Sequence, residues 1–415
     1  MNDPKAARAA LMRDASFRWL MSGGVISMLG DQFTMIALPW LVLKMTHDPL
    51  ALGMVIAISS IPRAIFILIG GALVDRYSPR TVLMLTKYAN AALVGTLATL
   101  VLTHSATLPL IYLIALGIGL ASAFSIPSGS SIVPRVVSLD QLQLANGTLM
   151  GMRQMTSLAG PLLAAALFAV AGDEKGLGYA FAFDCFSYLF SAWTLAQVRT
   201  HDVPKPASAE PVLRAVGAGI KMVWDDVQLR TVLLYWAICG FVVGGSIQVA
   251  LPLLASERLH GASALGMLMG AHGIGTLVGM ALSGIKGNLR LRNLGTTLLA
   301  IDFTAGFLLV PLGAVQATWQ GMLVLLVMGT VAGFMQVAVF SWIQRRVPQA
   351  MLGRAMSIFM FIFMGVAPLS AAITGAIMQV LTLTQLFLFA GMFLSGVAAV
   401  AFVVTPIRAI EDVKA

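Results

Sequence analysis

Twelve stretches of about twenty or more residues, almost free of charge, recur along this chain, at about residues 17–43, 51–73, 81–103, 107–127, 144–170, 177–198, 229–256, 262–284, 291–314, 318–340, 352–380 and 384–405. Roughly 20 apolar residues in helical form cross the ~30 Å hydrocarbon layer of a bilayer. A backbone in lipid has no water to bond to, so it must pair its own amides, as helices do within one segment. The stretches are too long for strands and lack the alternation a lipid-facing strand would show. Composition agrees: 59% of the residues are hydrophobic and 10% are charged, against about 25% charged in a soluble domain. The expected fold is an all-α membrane protein with twelve transmembrane helices in two pseudo-symmetric six-helix bundles.

The formal net charge of +9 does not point to nucleic acid, because the cations lie in short loops with no basic stripe interleaved with aromatics. Cys185 and Cys239 both fall in apolar stretches, as small buried hydrophobes do. Neither disulfide, metal site nor cofactor is expected of them. The basic start is followed by an apolar run reaching Leu43, far longer than the core of a secretory signal, so this run reads as the first span.

Orientation follows from lysine and arginine, which favour cytoplasmic loops. With both termini in the cytoplasm, nearly all of the 26 lysines and arginines face inward. Lys87 is counted with the inner set. Lys44, Lys175 and Arg258 fall outside, and Arg63 falls mid-membrane. The expected location is a cell membrane, the inner one in a Gram-negative cell. The longest interruption, about 199–228, carries Pro204, Pro206 and Pro211. It divides the chain into an N-terminal bundle at 1–199, a cytoplasmic linker at 200–228 and a C-terminal bundle at 229–415. Val212 to Trp224 is either an amphipathic surface helix or flexible linker. The halves also resemble each other: Val133-Pro134 follows the fourth stretch and Val347-Pro348 the tenth. Internal repeats of this kind are characteristic of secondary transporters.

Gly70 to Arg80 reads GGALVDRYSPR. It resembles the signature of the major facilitator superfamily in the loop between its second and third helices. Gly30 to Thr46, Ile61 to Arg76, Ile132 to Gly147 and Val347 to Ser357 are similar to the branch containing enterobactin and macrolide exporters. The resemblance implies a proton-driven exporter that works by rocking two bundles around a central cavity. It also implies a conformational latch at Gly71, Asp75, Arg76 and Arg80. Asp75 would accept hydrogen bonds from a helix N-terminus near Leu352, where negative charge is favoured by about 0.3–1 kcal/mol. The alternative is a loop carboxylate paired with Arg76 or Arg80. One departure lies in the fifth stretch, where superfamily antiporters show Gly-Pro followed by paired glycines. Here Ala164 and Ala165 follow Gly160-Pro161.

Ionisable groups in hydrocarbon are costly and need a reason. Asp31 and Arg63 each lie 16 positions from His47, so they share a depth of about 24 Å from that turn at about 1.5 Å per residue. An intramembrane ion pair is expected, serving either to neutralise both charges or to couple transport to a proton. Asp302, near mid-span with no partner close in sequence, is a proton-carrier candidate or a hydrogen-bonded bundle residue. His272 is a further coupling candidate or a satisfied bundle histidine. Arg153, Asp184 and Gln248 are substrate-cavity candidates, Asp184 lying near enough to the outer end of its helix to reach water. Gly266, Gly270, Gly275 and Gly279 suit close helix packing. No phosphate loop, metal cluster or nucleophile elbow points to an enzyme. The expected partners are a small-molecule substrate, protons and the bilayer, with no nucleic acid, and the protein is expected to be a monomer. The readings compatible with the same fold are a lipid or lysolipid mover and an uptake carrier. Single cysteines placed in the 78–80 turn and in the 345–354 turn should both react with an impermeant maleimide from the cytoplasmic side only; labelling from opposite sides contradicts this topology.

Overall fold

The computed structural model describes residues 10–76, 78–138, 140–201, 212–285, 293–347 and 352–410. Among these residues there are helices and connecting turns and no strand. The helices are α1 (Ala15–Thr46), α2 (Pro49–Arg76), α3 (Pro79–Leu102), α4 (Leu108–Ile132), α5 (Leu142–Gln197), α6 (Val212–Asp225) and α7 (Val227–Gly245). A π turn over Ser246–Ala250 leads into α8 (Leu251–Glu257). Then come α9 (Ala262–Ile285), α10 (Leu294–Leu309), α11 (Thr318–Arg346), α12 (Leu352–Ile377) and α13 (Leu383–Val404). Among the described residues, ten helical segments are long and apolar enough to cross a membrane. Val212–Asp225 is helical. Between 170 and 177, where a gap between two helices is expected, the two parts of α5 meet at a sharp break at Gly172, whose φ of 72° is open to glycine at little cost.

Local chemistry sets the helix ends. Pro79 opens α3 just behind Ser78, where its missing N–H costs nothing. At the other end His104, at φ 54°, closes the helix. The His104 N–H bonds the Val101 carbonyl at 3.2 Å and the Ser105 N–H bonds Leu100 at 2.9 Å, the paired bonds of a Schellman end. Asn293 with Thr296 and Thr382 with Gln385 form capping boxes at the starts of α10 and α13, satisfying amides that have no partner inside the helix.

The chain divides into two compact units, one of Met1–Met45 with Ile58–Ala209 and the other of Thr46–Ala57 with Glu210–Ala415. In the first, the ends of α1, α3, α4 and α5 meet over Phe17, Leu83, Ile132, Val136, Leu195 and Val198, all buried. Arg80 lies beside this cluster and donates to the carbonyls of Leu195 at 3.2 Å and Ala196 at 2.6 Å. It therefore caps the C-terminal end of α5, where a cation meets the helix dipole favourably. Arg80, expected as part of a latch, is hydrogen-bonded here within its own unit. The other latch residues, Gly71, Asp75 and Arg76, have side chains outside the described residues.

In the second unit α9 and α11 lie backbone to backbone. A Cβ on Gly275 or Gly279 would overlap the carbonyls of Leu326 or Thr330, and one on Gly329 or Gly333 those of His272 or Thr276. Both helices thus present a pair of glycines four residues apart, which permits the closest helix approach in lipid. Arg258, beyond α8, donates to the Gly313 carbonyl at 2.6 Å and to Thr384 Oγ1 at 2.6 Å, joining three helix ends. At the start of α7, Asp226 accepts from the amides of Gln228 and Leu229. It also takes a two-pronged hydrogen bond from Arg346, at 2.7 and 3.0 Å. Partial burial pushes the Asp226 carboxyl up, but Arg346 and the two amides outweigh it and hold the group below the ordinary carboxylate range.

A carboxyl held low when folded contributes stability at pH above its unfolded value, and that contribution is lost as pH falls through the folded value. Asp226→Asn should therefore lower the Tm of the purified protein at neutral pH, by an amount equivalent to about 0.5–1 kcal/mol for a partly exposed charged pair, since asparagine still caps the helix. The gap to wild type should close as the pH is brought below the carboxylate range. A gap constant with pH would rule out this origin.

Candidate functional site

The first unit carries a group of polar side chains midway along its helices. Asp31 lies midway along α1, and Tyr188, in the second part of α5, donates its hydroxyl hydrogen to Asp31 Oδ1. Lys87, about two turns into α3, donates to Ser27 Oγ at 2.6 Å and rests over the Tyr188 ring, 5.1 Å from its centre. Lys87 and Arg63 are both near enough to Asp31 to attract it electrostatically, Lys87 the more strongly. One turn before Tyr188, Asp184 accepts from Thr34 of α1 and lies 3.1 Å from Ser187 Oγ. Two carboxyls and two cations from four helices are thus gathered in one place.

Glycine makes the gathering possible. A Cβ on Gly30 would overlap Ser187 Oγ and Asp184 Oδ1, and one on Gly23 would overlap Thr194. Residues seven apart lie on one face of a helix, so α1 offers α5 a smooth strip that brings the Asp184 carboxyl against its backbone. The two acids differ in access. Asp31 is exposed despite its depth along the helix, whereas Asp184 is 1% exposed and Ser187 is fully buried.

The geometry departs from sequence expectation at several points. The expected contact of Asp31 with Arg63 is not a direct ion pair: the nearest hydrogen-bond partner of the Arg63 guanidinium is Ser60 at 3.4 Å, and Tyr188 takes the place at Asp31. Lys87 is not an inner-loop cation but part of this mid-helix group. It lies only about two turns inside α3, where a lysine can equally snorkel to the interface or turn inward. Asp184 does not reach water near the outer end of its helix, because the glycine strip of α1 seals it. Tyr188, Thr34 and Ser27 were missed, although Tyr188 stands four residues after Asp184, the spacing that puts two side chains on one helical face.

The remaining candidates lie apart from this group. In the second unit Asp302 is 3% exposed and close to Tyr235 and Cys239. Asp302 Oδ2 and Tyr235 Oη are buried without a hydrogen-bond partner among the described residues. His272 is half-buried on α9 and Gln248 half-buried in the π turn. Arg153 is exposed on α5. No group of three or more metal-ligating side chains occurs among the described residues.

Long apolar helices around interior charges define a multi-pass membrane protein. Residues 6–415 match the transmembrane secretion effector family, and the chain belongs to it, a family of the major facilitator superfamily. It is 23% identical over 342 residues to the enterobactin exporter EntS of Citrobacter koseri, covering 82% of this chain and 79% of that one. It is 23% identical over 341 residues to EntS of Escherichia coli O81 (strain ED1a), with the same coverage. The fold is shared with solved transporters: the nucleoside transporter NupG, at TM-score 0.71 and 12% identity over 95% of this chain and 100% of that one, and a bacterial homologue of the iron transporter ferroportin, at TM-score 0.66 and 16% identity over 92% and 98%.

Removing one member of a matched polar group strands the others, at roughly 1–3 kcal/mol for each buried polar group left unsatisfied. Lys87→Met should lower Tm accordingly, and adding Asp31→Asn should recover part of the loss. A double-mutant cycle in detergent measures this coupling; strictly additive effects would show that the two charges do not depend on each other.

Proposed function

We propose that the protein is a secondary active exporter of a small amphipathic molecule, driven by protons through alternating access. The observation that carries this reading is the exposed Asp31, mid-helix, between the Tyr188 hydroxyl and Lys87 on two other helices. A charge there has no structural need to be reachable. A reachable carboxyl among cations can exchange a proton for a substrate, each favouring one facing of the carrier. Membership of a secretion family and likeness to enterobactin exporters favour outward movement, and a siderophore-like or drug-like molecule as cargo.

The architecture proposed is twelve membrane crossings in two bundles, 1–199 and 229–415, joined by a cytoplasmic linker at 200–228. Two features favour twelve crossings over ten. At 56 residues, α5 would be about 84 Å long if straight, more than twice the hydrocarbon thickness, and it breaks at Gly172. In addition α12, 26 residues long with Pro368 inside, is of spanning length. The protein is proposed to lie in the cell membrane, the inner one of a Gram-negative cell, as a monomer with both termini in the cytoplasm. Asp302 and His272 stand as secondary coupling candidates, Arg153 and Gln248 as cavity contacts, and Asp75 with Gly71 and Arg76 as the latch.

Purified full-length protein in liposomes, with an imposed pH gradient, tests the reading. Enterobactin and the cationic dye ethidium serve as probes. At least one should move against its gradient, and Asp31→Asn should abolish the dependence on pH while leaving probe binding measurable. Gradient-driven movement that survives both Asp31→Asn and Asp302→Asn would rule out these coupling sites. Movement of a fluorescent lysolipid between leaflets, with neither probe transported, would favour the lipid-moving alternative.

A further inference from the structure

We infer that Asp184 holds a proton in this conformation and is the second acid of the coupling site, with Asp31 as the ionised one. The inference rests on the proton-driven reading above and adds the group that stores the proton.

Hydrogen-bond supply carries the argument. Asp184 Oδ2 receives the hydroxyl hydrogen of Thr34. Among the described residues, Ser187 Oγ, at 3.1 Å, is the one hydrogen-bond partner of its Oδ1. The Ser187 hydroxyl owns a single hydrogen, and the Asp184 backbone carbonyl lies nearer to it, at 2.7 Å. With that hydrogen committed to the carbonyl, Ser187 Oγ turns lone pairs toward Oδ1. Two oxygens in hydrogen-bond contact need one hydrogen between them, and here it must come from the carboxyl. Among the described residues no cation forms an ion pair with Asp184, and the group is 1% exposed with Ser187 fully buried. An ionised carboxylate in such a place would bear the full cost of desolvation. Asp31 has the opposite setting: exposure, the Tyr188 hydroxyl as donor, and Lys87 and Arg63 close by.

The titratable groups facing Asp184 are Asp31 from α1, Lys87 from α3, and Cys185 and Tyr188 from its own helix. Thr34 and Tyr188 link the two acids, each bonded to one and standing a helical turn from the other. The transfer balances: the Asp184 O–H bond breaks, an O–H bond forms on the Asp31 carboxylate, and Asp31, being exposed, passes the proton to water. Before that release Asp184 is ionised without an ion-pair partner and Asp31 is neutral; after it both are ionised. The Lys87 ammonium, on a flexible stem, is drawn from Ser27 toward Asp184, and the packing of α1, α3 and α5 must follow.

Infrared difference spectroscopy of the full chain in lipid nanodiscs at neutral pH tests this without any transport. A protonated carboxyl gives a carbonyl stretch distinct from that of a carboxylate. Wild type minus Asp184→Asn should show this band, and wild type minus Asp31→Asn should not. Asp302 is common to each pair and cancels. Ser187→Ala should keep the band and move it to higher frequency, because the acceptor of its hydrogen is gone. The Ser187→Ala spectrum also decides the matter if Asp184→Asn does not fold. No band in the Asp184 difference, or an unmoved band in Ser187→Ala, overturns the assignment. A normal Asp184 band alongside pH-independent movement of enterobactin and ethidium in liposomes would instead overturn the proton-driven reading on which it rests.

Discussion

A charge inside hydrocarbon must be matched by its neighbours, because no water is there to do it. In the first unit this requirement fixes how α1, α2, α3 and α5 meet. Asp31 on its own would be costly, and so would Lys87 or Arg63. Together, with Tyr188, Ser27 and Thr34 supplying hydrogen bonds, they form a set in which each member is needed by the others. The set closes only because Gly23 and Gly30 leave α1 without side chains along the strip that meets α5.

The same logic in weaker form operates at the helix ends. Arg80 on the carbonyls ending α5, Arg258 across three helix ends, and Arg346 on the Asp226 cap each place a cation where backbone groups lack helical partners. In lipid, apolar side chains gain nothing by meeting one another rather than acyl chains, so association rests on close packing and on these polar ties. The glycine pairs of α9 and α11 and the arginines at the ends are complementary: the first bring backbones together along the length of a helix, the second fix where the length stops.

The membrane-spanning helical class was legible in hydropathy alone, because the length of an apolar run is set by bilayer thickness. The acids were legible too: Asp31, Asp184 and Asp302 stand out as charges in apolar text. Their partners were less so. Lys87 sits two turns from a loop, where sequence cannot tell a snorkelling lysine from one turned inward. Tyr188 and Thr34 are ordinary residues whose meaning depends on a neighbour some 150 positions away. Depth along the chain suggested Arg63 as the partner of Asp31, but depth does not fix rotation about the helix axis, and rotation chose Tyr188. The glycines of α9 were readable as a packing face, whereas Gly329 and Gly333 on α11 became its counterpart only once the two helices were side by side.

The wide turn at Ser246–Ala250 carries an implication for the span that contains it. A π turn is an inserted residue, so the two parts of the span are out of phase by about 100°, the angle of one residue in an α-helix. Pro252, just beyond, has no N–H to offer the Gln248 carbonyl, which is the bond a regular ladder would demand there. The proline thereby makes the insertion cheap to keep and the regular form expensive to restore. Were the turn to tighten, the Gln248 amide would sweep more than a quarter of the way round the axis, while the far end stayed pinned by Arg258. Such a rotary element changes what a span displays to its interior without shifting either terminus.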